Sequence, residues 1–137
     1  MTSKYFLDTS YLLALVRKKD QLHEKAVAGS LQYQGPFVTT ELILVELANS
    51  LAFPNTRQTA INVIETTRMD QETLVISFGP DRFQETFDMY KSRLDKSWGF
   101  VDCFSFIVMQ EHQINIALTF DIHFKQAGFF TPLLNLD

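Results

Sequence analysis

Apolar residues fall along the chain in short blocks separated by longer amphipathic stretches. Tyr5-Phe6-Leu7 is a brief apolar run ended by Asp8 and reads as a strand. Thr9 or Ser10 then caps a predicted helix that runs to about Arg17. A second helical segment opens at Asp20 or Gln21, continues to about Tyr33 and is broken by Gly35-Pro36. Phe37-Val38-Thr39 reads as the next strand, and Thr39 or Thr40 caps a helix from Glu41 to about Phe53. Pro54-Asn55 makes a turn, residues 57–68 are helical again, and Leu74-Val75-Ile76 is a third strand closed by Gly79-Pro80. Residues 81–94 form a predicted helix with apolar Phe83, Phe87 and Tyr90, and residues 95–100 an irregular loop holding the only Trp. Asp102, Ser105, Phe106 and Met109 recur at i, i+3, i+4 and i+7, which predicts a helix over residues 102–112. Residues 114–119 are a strand ending near Asp121, residues 123–126 a single helical turn, and residues 131–136 a last edge strand.

Strands that alternate with helical segments need crossover connections. They predict an α/β fold of three layers, α/β/α, around a central, mostly parallel sheet. No repeat, linker or low-complexity segment interrupts the 137 residues, so a single domain over residues 1–137 is expected. The single cysteine, Cys103, excludes an intramolecular disulfide and any cysteine-based metal knuckle. No start resembling a signal peptide is present, and no apolar run approaches the roughly 18–20 residues that span a bilayer. The expected setting is a reducing cytoplasm, with no membrane partner. The 16 acids and 12 bases give a net charge of −4, which excludes a broadly basic, nucleic-acid-coating surface.

The acids stand in unexpected places. Asp8 closes an apolar strand, and Glu46 interrupts Leu42-Ile43-Leu44-Val45 and Leu47-Ala48. Asp102 lies between Phe100-Val101 and Cys103-Phe104, and Asp121 follows Ile116-Ala117-Leu118-Thr119-Phe120. A lone carboxylate in apolar surroundings is costly. Taken singly, Asp8, Asp102 or Asp121 could cap a helix, and Glu46 could reach solvent from the edge of an apolar stripe. Taken together, they gather at one edge. Asp8 and Asp121 end strands, where open parallel sheets bind ligands, and right-handed crossovers bring Glu46 and Asp102 toward the same crevice. Four converging carboxylates repel one another, and a divalent cation removes that conflict. An all-oxygen donor set favours Mg²⁺ or Mn²⁺ over Zn²⁺.

The blocks that carry these acids resemble the PIN-domain nuclease family, especially the VapC-type ribonuclease toxins of toxin–antitoxin pairs. The run from Phe6-Leu7-Asp8-Thr9-Ser10 to Leu15 is similar to the family's opening strand and first acid. Val38-Thr39-Thr40 with Val45-Glu46-Leu47-Ala48 is similar to its second strand and helical Glu. Asp95 to Phe106 resembles the third acidic block, and Leu118-Thr119-Phe120-Asp121-Ile122-His123-Phe124 with Gly128-Phe129 the closing block. Val101 stands where the family's commoner pattern has Thr, so that hydroxyl is absent while the acid is kept. The resemblance implies a sheet sandwiched by helices, Mg²⁺- or Mn²⁺-dependent cleavage of single-stranded RNA or structured RNA loops, a homodimer, and a cognate antitoxin. It carries over Asp8, Glu46, Asp102 and Asp121 as the acidic catalytic and metal-binding cluster, with Glu41 a weaker stand-in for Glu46.

The surrounding residues give further expectations. Ser10, Ser105 and Thr119 are candidate donors behind the acids, each alternatively a cap or a satisfied helix residue. Lys91, Arg93 and Lys96 precede Asp102 and are candidate RNA contacts, with Trp98 either a stacking platform or a core residue. Arg17-Lys18-Lys19 is a second basic run, and Lys125 adjoins Asp121. His23, His112 and His123 lack metal-ligand spacing, and His123 near the acids is expected in a surface or supporting role. Exposed aromatics near Phe83, Phe87, Phe129 and Phe130 are either core or a face for an antitoxin or twin subunit. A phosphoaspartate receiver would need a strand-ending Asp after Leu74-Val75-Ile76, where Ser77 stands, and a haloacid-dehalogenase-type phosphatase would need an acid at Ser10. The alternative to a nuclease is a catalytically silent module of the same fold that binds RNA or protein.

Overall fold

The computed structural model describes residues 3–134. Among these, four strands form one all-parallel sheet: β1 (Tyr5–Leu7), β2 (Phe37–Thr40), β3 (Thr73–Ile76) and β4 (Ile116–Leu118). Their order is β3-β2-β1-β4. Phe6 pairs in register with Val38 on one side and Ala117 on the other. Those three residues are buried, whereas Leu74 on the edge strand β3 is exposed. A continuous apolar run suits β1 because both of its faces are covered.

The helices are α1 (Thr9–Val16), α2 (His23–Gln32), α3 (Glu41–Ser50), α4 (Arg57–Met69), α5 (Arg82–Ser92), α6 (Phe100–Glu111) and α7 (Ile122–Gln126). The chain winds outward from β1 through β2 to β3, then returns past β1 to place β4 on the other side. With right-handed crossovers, α1 to α4 cover one face and α5 and α6 the other. The reversal occurs between β1 and β4, so the connections leaving their carboxyl ends diverge and open a crevice there.

The caps differ from the sequence expectation at two helices. Asp8, rather than Thr9 or Ser10, is the N-cap of α1, with an extended backbone and its carboxylate turned back toward Ser10 N at 3.4 Å. Helix α6 starts at Phe100, two residues early, because the Asp102 carboxylate reaches back to accept from Gly99 N at 3.0 Å. Thr40 caps α3 as expected, its hydroxyl accepting from Ile43 N at 3.1 Å. The expected strand over residues 131–136 is not formed within the described residues. Phe130 alone bridges Ile116, and residues 132–134 turn away. Pro132 has no N–H to give a strand ladder. Residues 135 and 136 lie outside the described part. Helix α1 also carries Arg17-Lys18-Lys19 away from the Asp8 edge, by about 12 Å for its eight residues.

An aromatic layer lies beneath the crevice. Phe106 meets Phe124 edge-on at 5.0 Å, Trp98 at 4.9 Å and Phe129 at 5.7 Å between ring centres. Phe124 in turn lies 5.9 Å from Phe6 of β1. Phe106 is one helical turn after Asp102, and Phe124 follows Asp121 by three residues. The same short helical turns therefore bury a ring and present an acid. Truncating Phe106 to Ala should destabilise the fold by about 3–5 kcal/mol. Urea denaturation measures this, and a loss below about 1 kcal/mol would show that the ring layer does not brace the crevice.

Candidate active site

Asp8 ends β1 at the floor of the crevice and is only 4% exposed. Its Oδ2 accepts hydrogen bonds from Ser10 Oγ and from Thr119 Oγ1, both at 2.7 Å. The two hydroxyls are themselves held by backbone amides. Phe120 N donates to Ser10 Oγ and Asp121 N donates to Thr119 Oγ1, both at 2.9 Å. Each hydroxyl thus accepts from the chain after β4 and gives its proton to the acid at the end of β1. Burial still dominates and pushes the Asp8 carboxyl up to about 6, against the two hydroxyls and with added repulsion from Asp102 and Glu46.

Glu46 projects from the second turn of α3, and its Oε1 accepts from Thr9 Oγ1. Its pKa is raised, first by burial and then by Asp102 and Asp121, with Thr9 opposing. Asp102 has a raised pKa from burial and from Asp121, opposed by the Gly99 amide and by His123. Asp121 is the N-cap of α7, and its Oδ1 accepts from His123 N at 3.0 Å. The structure therefore brings Asp8, Glu46, Asp102 and Asp121 close enough to repel one another across three helices and two strand ends.

His123 joins them. Its Nδ1 lies 2.8 Å from Asp102 Oδ2 and 3.2 Å from Asp121 Oδ1. One ligand atom from each of Asp102, Asp121 and His123 falls within 4.8 Å of the others. Sequence spacing did not reveal this role, since Asp121 and His123 are only two residues apart and the third partner comes from α6. The adjacency of His123 to an acid at a strand end was the one available signal.

Other candidates separate into neighbours and non-neighbours. Ser10 and Thr119 support the cluster, as described. Ser105 does not, because its buried hydroxyl donates back to Val101 O at 3.0 Å, the usual satisfaction of a helical Ser. Glu41 is turned away, accepting from Phe78 N at 2.8 Å beyond β3. Arg93 makes two bonds to Asp95, at 3.0 and 3.1 Å, and Lys96 lies 3.7 Å from the same acid. Lys91 pairs with Asp88 at 3.6 Å. Trp98 is a core residue with 8% exposure, its Nε1 donating to Gln126 Oε1 at 3.1 Å and its outer face covered by the Arg93 guanidinium at 4.7 Å. That ring ties the loop before Asp102 to the helix after Asp121. Phe129 packs on the core, whereas Phe83, Phe87 and Phe130 keep exposed surface.

Residues 5–130 match the family profile of the PIN domain. The chain belongs to the PIN domain family. Among solved structures this PIN domain is similar to the Mycobacterium tuberculosis toxin VapC20, described as sarcin-ricin-loop cleaving. The TM-score is 0.83 at 25% identity, over 91% of this chain and 95% of that one. FitAcB from Neisseria gonorrhoeae shares the fold, with a TM-score of 0.67 at 15% identity over 96% of this chain and 99% of the other. A comparison with curated protein sequences gives no significant match.

Asp8 sets a pH dependence of stability. In the unfolded PIN domain it ionises near 3.8, and in the folded one it keeps its proton to about 6. The folded state thus binds more protons between those values, and stability falls as pH rises through that window. The full penalty, on the order of 3 kcal/mol, is present above it. In metal-stripped protein, Asp8→Asn should raise the thermal midpoint at pH 7 and flatten its decline between pH 4 and 6. An unchanged pH slope would assign the effect elsewhere. Gln126→Met removes the acceptor while leaving the Trp98 ring and its packing in place, so it should cost about 1 kcal/mol. Urea titration reads that loss, and a neutral result would show that the bond is not a tie.

Proposed function

We propose that the chain is a metal-dependent endoribonuclease that cleaves single-stranded RNA or structured RNA loops in the cytoplasm. It acts as the toxin of a toxin–antitoxin pair, with residues 1–137 forming one nuclease domain. The observation that carries this reading is the convergence of Asp8, Glu46, Asp102 and Asp121 at the switch point of the sheet. The similarity over nearly the whole chain to VapC20, a sarcin-ricin-loop cleaving toxin, supports it. Among the described residues no helix is long and apolar enough to cross a membrane.

The donor set fits a divalent cation. Carboxylates with raised pKa values crowd one crevice, and the half-buried His123 ring lies against two of the acids. Asp8, Asp102 and Asp121 would hold Mg²⁺ or Mn²⁺, which suits oxygen ligands, with Glu46 beside them to act on water. When bound, that ion polarises the scissile phosphate and lowers the pKa of water near it.

The chain's own residues do the rest. Ser10 and Thr119 keep Asp8 ionisable in a buried position by donating to its Oδ2. Glu46, fixed by Thr9 and with a raised pKa, orients the attacking water and takes its proton. Water oxygen then bonds to phosphorus as the phosphodiester oxygen leaves. Lys96 and Arg93 on the loop before Asp102 would meet the RNA backbone by exchanging their pairing with Asp95 for phosphate. The partners are RNA, a cognate antitoxin and a second copy of the chain as a homodimer.

Purified protein should cleave a single-stranded or loop-containing RNA with Mg²⁺ or Mn²⁺, stop in chelator, and recover when the ion is restored. Asp102→Asn and Asp121→Asn should each lower the rate at least about a hundredfold while the thermal midpoint is kept or raised. Gel-resolved cleavage and thermal melts read both. Undiminished cleavage in chelator would overturn the reading. Loss of folding in the Asn variants would make these acids structural.

A further inference from the structure

The proposed metal site holds more than oxygen donors. Asp121 caps α7, so His123 occupies the second helical position and its ring folds back over the first turn. Its Nδ1 then faces two carboxylate oxygens from different elements, Asp102 Oδ2 at 2.8 Å and Asp121 Oδ1 at 3.2 Å. A ring nitrogen carries at most one hydrogen, which cannot point well at both. A divalent ion drawing on all three atoms satisfies the arrangement better, and their mutual distances are within 4.8 Å.

Resting on the site reading above, we infer that His123 is a nitrogen ligand of this centre and makes it select Mn²⁺ over Mg²⁺. Mg²⁺ is small and hard, demands near-ideal octahedral oxygen coordination and gives up water reluctantly, whereas the larger, less hard Mn²⁺ exchanges water readily and accepts an imidazole nitrogen beside carboxylates. The acids alone would serve either ion. The imidazole adds a donor that only one of them uses well. His23 does not compete for this role, because its Nδ1 is engaged with Ala14 O at 2.8 Å, on α1.

The test uses the full chain with metal ions alone, without RNA. Mn²⁺ bound at one equivalent is examined by electron spin-echo envelope modulation, and Mn²⁺ and Mg²⁺ affinities are measured by titration and competition. Wild-type protein should show ¹⁴N modulation from a directly bound imidazole. His123→Asn keeps an N–H donor near the Nδ1 position but has no imidazole, and should lose that signal. Its Mn²⁺ affinity should fall about 10–100-fold, while its Mg²⁺ affinity changes less than about threefold. An absent ¹⁴N signal in the wild type, or equal losses for both ions, would overturn the ligand role and leave the acidic site standing. Failure of the wild type to bind either ion would overturn the site reading itself. The wild-type spectrum decides the ligand role even if the variant does not fold.

Discussion

The structure turns on a single buried carboxylate held by two hydroxyls. Asp8 stands in the most enclosed part of the sheet, between strands that have no charge to offer it. A lone buried carboxylate would be costly. The cost is reduced because Ser10 and Thr119 aim their protons at one oxygen, and the chain after β4 fixes both hydroxyls in turn. This arrangement joins the end of β1 to the end of β4 by side chains where the ladder stops. It also fixes where the first acid sits relative to Asp121, whose own amide is part of the same set of bonds. Burial holds the site in a tense state, with the carboxyl's affinity for protons well above that of a free Asp.

Two layers make the crevice. The lower one is aromatic, with Phe6, Phe106, Phe124 and Trp98 locking β1, α6 and α7 together. The upper one is acidic, displayed by the first turns of α6 and α7, by α3 and by the end of β1. Ring packing below allows like charges to be held close above. Burial raises Asp8, Glu46 and Asp102 first, and the ring packing holds the helices against the repulsion that adds to it. Arg93 and Lys96 on the nearby loop pair with Asp95 on the surface.

Much of this was legible in the sequence, because interrupted hydrophobic runs report buried polar groups directly. Tyr5-Phe6-Leu7 before Asp8 and Ile116-Ala117-Leu118 before Thr119 mark the two strands that flank the crevice, and the structure forms both. Glu46 and Asp102 stand out for the same reason. Features that depend on tertiary geometry were less legible. Asp8 acts as cap and floor of the site at once, which displaced the cap from Thr9 or Ser10. Ser105 shares a helix face with Asp102, but spacing does not show that its proton returns to Val101. His123 meets Asp102 across 21 residues of chain, a contact that no local pattern encodes. The edge at residues 131–136 looked like a strand from its apolar content, while Pro132 and the turn that follows decided otherwise.

The bond between Thr119 and Asp8 spans 111 residues. The floor of the crevice therefore comes from the first strand to be made, and its clasp from the last. A nascent chain carries Asp8 and Glu46 long before it carries Thr119 and Asp121. Until β4 pairs beside β1, Asp8 lacks its second hydroxyl donor, Thr119, and the cluster lacks its fourth acid. The topology thus leaves the pocket incomplete until nearly the whole chain has been produced.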